Sequence, residues 1–190
     1  MTLDEESGEG TSEITTCLEE RKDIKIVIQL NKSCRDSYAI HPVGKNGKPT
    51  GDISKIVNNV ADCSRPYALG NLVNMYNDYT ITNGIKSDEL DIKFIVHSGG
   101  GYLQLKDEGF DGNGNWVTGR NKFQSNVEKL MDKMGVKFYF CQNTTRGFIK
   151  NKTLPSGDAT AQLIDGVEYV TAGVTALADL QEQGYKYVQP

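Results

Sequence analysis

A three-layer α/β/α sandwich around a central, mostly parallel, five-stranded sheet is what the sequence predicts. Two observations carry the prediction. Near-continuous β-branched and aromatic runs, such as IKIVIQL at Ile24 to Leu30, read as strands buried on both faces. Segments with helical apolar periodicity alternate with them, as in parallel strands joined by crossover helices. With 37% hydrophobic and 24% charged residues in 190, the chain has enough apolar surface for one globular core without staples.

The elements follow in order. Residues 1–22 open with MTLDEESGEGTSE and read as a disordered acidic tail, and 23–190 as a single domain. Ile24 to Leu30 is the first strand. A polar stretch at about 31–62 reads as an insertion, with turn chemistry at Asn46 to Asp52 and one short helix near Ile53 to Val60. Ser64-Arg65-Pro66 reads as a helix start, and Leu69, Leu72, Val73 and Tyr76 repeat as one buried face. Asn83-Gly84 ends that helix. DIKFIVH (Asp91 to His97) is the second strand and runs into Ser98-Gly99-Gly100-Gly101. Phe110 to Gly119 is a loop by composition.

Phe123 to Met134 reads as a helix with Val127, Leu130, Met131 and Met134 inward, stopped by Gly135. VKFYFC (Val136 to Cys141) is the third strand and Val167 to Thr171 the fourth. Val174 to Gln183 is a helix expected to turn Val174, Leu177 and Ala178 inward, and Tyr185 to Val188 is a last short strand.

Composition excludes several function classes. A net charge of −4 argues against a nucleic-acid partner, which calls for a basic patch. No run reaches the roughly 18 apolar residues of a membrane span. Two histidines and the absence of any C-x-x-C leave no metal-binding pattern, so no metal and no cofactor are expected. Asp111-Gly112-Asn113-Gly114-Asn115 lacks the further carboxylates of a calcium loop and reads as a plain loop. The tail has neither a basic nor an apolar signal region, so a cytoplasmic location is expected, with export as the alternative. In an exported protein Cys34 and Cys63 would be free to close the insertion as a disulfide; otherwise they are thiols.

In an open parallel sheet, ligands gather beyond the C-terminal strand ends. Two ends stand out. Cys141, before Gln142-Asn143-Thr144-Thr145-Arg146, sits where a helix N-terminus and Arg146 would favour a thiolate. The plainer alternative is a buried cysteine acting as a small hydrophobe. Asn143, Thr144, Thr145 and Arg146 would bind an anion there, or Thr144 and Thr145 would serve mainly as a helix cap. His97, Ser98, Gly99 and Gly100 form the second candidate, either a nest of N–H groups for an anion or simply a tight turn. The Gly run does not match a dinucleotide fingerprint.

Four stretches together resemble the DsrE/DsrF-like family: VKFYFCQNTTRGFIKNKTL, GVEYVTAGVTALADLQEQGYKYVQP, IKIVIQL and FIVHSGGGYLQL. The first is similar to the family's strand of the form VKFYAC with its following turn. The second is similar to its closing strand, helix and E-x-G-Y-x-Y-[IV]-x-P end. The insertion at Asn31 to Asp62 and the loop at Asp107 to Gly119 are longer than in compact members. The resemblance implies a three-layer fold and a homo-oligomer, a trimer or hexamer. Some members relay sulfur as a persulfide, and Cys141 matches the position of their active cysteine. The function expected is therefore a persulfide carrier or sulfurtransferase subunit using Cys141, working with sulfur donor and acceptor proteins. The alternative is a non-catalytic oligomeric binding module for a small anion or partner protein.

Overall fold

The structure, a computed structural model, describes residues 21–32, 66–157 and 159–190. Most of the acidic tail, most of the insertion, and Cys17, Cys34, Cys63 and Ser64 lie outside the described residues.

Five strands form one sheet: β1 (Ile24–Leu30), β2 (Leu90–Val96), β5 (Lys137–Cys141), β6 (Glu168–Val170) and β7 (Lys186–Val188). Their order is β6-β5-β2-β1-β7 and every pairing is parallel. The central strands are the apolar runs of the sequence, because only a strand covered on both faces needs apolar residues at successive positions. Ile26, Ile28, Phe94, Val96, Phe138 and Phe140 look into one core, and Val27 and Ile95 into another.

Among the described residues four α-helices cover the sheet: α1 (Tyr67–Asn77), α2 (Gln124–Met134), α3 (Gln142–Lys150) and α4 (Gly173–Glu182). Leu69 and Leu72 of α1, Val127 and Leu130 of α2, and Phe148 of α3 all enter the larger core. Among the described residues, α4 alone covers the other face, with Leu177 beside Tyr185, Val27 and Ile95. The uneven layers follow from topology. The chain steps from β1 through β2 and β5 to β6 in one direction, so right-handed crossovers keep three helices on one side. The connection from β6 to β7 runs back across the sheet, and the same handedness sends α4 to the opposite side.

The predicted burial of α4 is corrected in one respect. Leu177 is buried, but Val174 is 72% exposed and Ala178 is exposed. The inward face is Gly173, Ala176, Leu177 and Leu180, a rotation of the helix that periodicity alone did not fix. Pro66 stands at the N-cap position of α1, just before its first turn. Gly135 closes α2 in the left-handed conformation, φ 63°, as expected.

The predicted loop at Phe110 to Gly119 contains a small hairpin, β3 (Gly109–Phe110) with β4 (Trp116–Val117). The Asp111 carboxylate accepts the N–H groups of Asn113 and Asn115 at 2.8 and 2.9 Å, which shapes the turn and holds its pKa below the ordinary carboxylate value. Arg120 lies beneath it, 9% exposed. All five of its N–H donors are used: on Lys106 O, Phe110 O, Thr153 O, Gln162 O and Gln162 Oε1. Burial pushes its pKa down to about 10, against the opposing pull of Asp107. Gly109 makes room, since a Cβ there would lie 2.1 Å from the guanidinium carbon. Arg120 thus ties three loops together at the C-terminal side of the sheet, where the site is built.

Candidate functional site

Cys141 is the last residue of β5 and the N-cap residue of α3. The helix begins at Gln142, without the spacer the sequence suggested, so Thr144 and Thr145 lie inside its first turn rather than capping it. The Cys141 sulfur does not cap its own helix. It accepts the backbone N–H of Gly173 at 3.2 Å, the first residue of α4. Strand pairing explains this: β5 and β6 are parallel neighbours with Cys141 opposite Val170, so the chain leaving β6 passes beside the sulfur and starts α4 there. One helix thus starts at the cysteine backbone and another points an N–H at its sulfur, and both dipoles favour negative charge at this place.

Cys141 lines a cavity of about 600 Å³ at the C-terminal strand ends. Cys141 is only 4% exposed, so its contact with the outside is through this cavity. On one side stand His97, Ser98, Gly99 and Tyr102, after β2; on the other, Ala172, Gly173 and Val174. The face of α3 between them presents Asn143, Thr144, Gly147 and Phe148, and Asn151 follows at its C-cap. The His97 ring and Cys141 flank the same point: a Cβ on Gly173 would stand 3.4 Å from His97 Cδ2 and 3.5 Å from Cys141 Cβ.

A chain of hydrogen bonds orients His97. Tyr187 donates its hydroxyl to Gln29 Oε1, and the Gln29 amide nitrogen meets His97 Nε2 at 2.5 Å. His97 Nδ1 lies 3.2 Å from Ser98 Oγ. With the amide so turned, Nε2 accepts and Nδ1 carries the proton. Burial holds the pKa of His97 below 6.5, so the ring is neutral at pH 7. Thr144 Oγ1 accepts the N–H of Ser98 at 2.8 Å, locking α3 to the turn after β2.

Of the nine residues singled out in the sequence, six line the cavity: Cys141, His97, Ser98, Gly99, Asn143 and Thr144. Three do not. Arg146 is exposed and stands outside the lining, because the early start of α3 turns it away. Thr145 has its hydroxyl buried in the protein. Gly100 packs under β1: a Cβ there would lie 2.4 Å from Leu30 O, so it serves close backbone approach rather than an anion nest. The run from Ser98 to Gln104 is a 3₁₀ helix, and Ser98 itself holds φ 53°.

Sequence reasoning missed Tyr102, Gly147, Phe148, Asn151 and the Ala172-Gly173-Val174 corner. A usable signal existed for the corner: small residues just after a strand end, opening a helix. Among the described residues no group of three metal-ligating side chains occurs, and no helix is long and apolar enough to cross a membrane.

The DsrE/DsrF-like family profile matches residues 56–190, from ahead of α1 to the C-terminus. No curated protein matches the sequence. Among solved structures, the chain is similar to a protein of unknown function, MTH1491, from Methanobacterium thermoautotrophicum. The two are 18% identical with a TM-score of 0.51, covering 88% of this chain and 99% of the other. That likeness concerns the fold.

Proposed function

Because the chain belongs to the DsrE/DsrF-like family, we propose that it handles sulfur as a persulfide carrier or sulfurtransferase subunit, with Cys141 taking the sulfur. A sulfur-relay-type role is what membership suggests. The observation that supports Cys141 is its placement: it lines a cavity of about 600 Å³, and its sulfur accepts the Gly173 N–H. Sulfur transfer needs a thiolate that attacks a sulfane sulfur and then holds it as a persulfide, whose terminal sulfur also carries negative charge. N–H groups at helix starts suit both states, since they stabilise an anion without competing as nucleophiles.

His97, Ser98, Gly99, Asn143 and Thr144 complete the proposed site. Neutral His97, fixed by Gln29, shapes one wall, and Ser98 and Asn143 offer donors toward the sulfur's surroundings. The working unit in this reading is a homo-oligomer, a trimer or hexamer, that exchanges sulfur with donor and acceptor proteins.

Intact-protein mass spectrometry after treatment with inorganic polysulfide tests the reading. The expected result is a gain of sulfur atoms that maps to Cys141, is reversed by a thiol reductant, and is absent from Cys141→Ser. A Cys141→Ser protein that loads as well as the wild type overturns it. A wild-type protein that takes no sulfur points instead to a non-catalytic binding module.

A further inference from the structure

The proposed site says where sulfur is held but not what delivers it. The cavity is far longer than its cysteine requires. Asn143, Gly147 and Asn151 are spaced four residues apart along one face of α3, so the wall they make extends about 12 Å from the sulfur end, at about 1.5 Å per residue. Its volume falls within the roughly 300–1,000 Å³ of sites for organic ligands.

The lining has a definite chemistry. Among the described residues that form it there is no Lys, Arg, Asp or Glu, and His97 is neutral. No charged side chain stands along this wall to select a small dianion of the thiosulfate kind, so the wall gives such a donor no recognition beyond the N–H groups at the sulfur end. What the wall does offer is carboxamides and an aromatic pair. Asn143 and Asn151 each supply an amide, with Asn151 Nδ2 3.5 Å from Tyr102 Oη. The rings of Tyr102 and Phe148 pack 4.6 Å apart between them. Midway stands Gly147, in the interior of a helix, where glycine costs stability. A Cβ there would meet nothing within 4 Å. Gly147 is exposed, so the middle of the wall is open to solvent and a side chain added there would stand over the groove.

We propose that the sulfur donor is the persulfide of an extended, uncharged, amide-bearing organic thiol, lying along the Asn143–Gly147–Asn151 face of α3 with its sulfur end at Cys141. This rests on the assignment of Cys141 as the sulfur acceptor. The Cys141 thiolate attacks the outer sulfur of R–S–SH. A new bond forms between Cys141 Sγ and that sulfur, the donor's own S–S bond breaks, and its electron pair leaves on R–S⁻. The proton stays on the transferred sulfur, and no oxidant or reductant is consumed. Asn143 and Asn151 hold the donor's amides, and the aromatic pair holds its methylenes.

The test compares pantetheine persulfide, a donor whose amide-bearing body is uncharged beyond its sulfur end, with inorganic polysulfide. Each is added to the wild type, Gly147→Leu and Cys141→Ser, and loading rates are read by intact-protein mass spectrometry. Gly147→Leu fills the middle of the groove without touching the sulfur end, and its Tm should equal or exceed that of the wild type. The expected result is a loss of about tenfold or more in loading from pantetheine persulfide, with polysulfide loading unchanged. Equal rates from pantetheine persulfide in wild type and Gly147→Leu overturn the donor assignment, as does an equal loss for both donors. A wild type that loads from neither donor, or a Cys141→Ser protein that loads from both, overturns the underlying assignment of Cys141 and the donor with it.

Discussion

Replacing Gly100 by Ala separates two roles for the glycine run after β2. The added Cβ would stand 2.4 Å from Leu30 O, 2.9 Å from Leu30 C and 3.0 Å from Leu30 Cγ, whereas ordinary contact begins at 3.4 Å. Something must move by about 1 Å, and the obstacle is backbone. Leu30 ends β1, which is paired to β2 on one side and β7 on the other, so it yields little. The same carbonyl accepts the His97 N–H at 3.0 Å, and a shift weakens that bond as well. Overpacking of this kind costs about 1–3 kcal/mol and the strained hydrogen bond about 1 more, so a loss of about 2–4 kcal/mol is expected. For a chain of this size the Tm should fall by about 4–16 °C. Urea unfolding followed by circular dichroism measures it, with the midpoint lowered and the m-value unchanged. A loss below about 1 kcal/mol would refute close approach as the reason for Gly100. If that variant also lost sulfur loading, an anion cradle would regain the ground.

Three more outcomes follow from the same structure. Arg120→Met removes five donors from buried carbonyls and should cost about 3–5 kcal/mol in urea unfolding, and a change under 1 kcal/mol would mean the loops stand without it. His97 has a folded pKa below 6.5, so between that value and 6.5 the unfolded chain binds more protons; stability is present above 6.5 and is lost as pH falls through this window. His97→Gln should remove that part of the pH dependence in thermal melts, and an unchanged profile counts against a half-buried neutral ring. Light scattering at micromolar concentration should give a mass about three or six times 21.0 kDa, and a clean monomer removes the three-fold assembly from the proposal.

Local pattern determined much of this protein. Ile24 to Leu30, Asp91 to Val96 and Lys137 to Cys141 were legible as strands because a doubly covered strand must be apolar at consecutive positions. Leu69, Leu72, Val127 and Leu130 were legible because a helix buries one stripe. The place of Cys141, at a C-terminal strand end beside a cavity, was legible because parallel sheets gather ligand clefts there. Tertiary structure decided the rest. The partner of the Cys141 sulfur is the N–H of Gly173, 32 residues away, and only the pairing of β5 with β6 brings them together. Arg146 looked like a neighbour of the cysteine in sequence. A helix that starts at Gln142 advances about 100° per residue, so positions 143, 144, 147, 148 and 151 face the cavity and 146 does not. Arg120 carried no pattern at all, since its five acceptors come from four separate residues that only the folded loops assemble. Periodicity is a property of neighbours along the chain and is fixed by covalent geometry. The phase of each helix, and the company each strand end keeps, are set by packing between segments that the sequence places far apart.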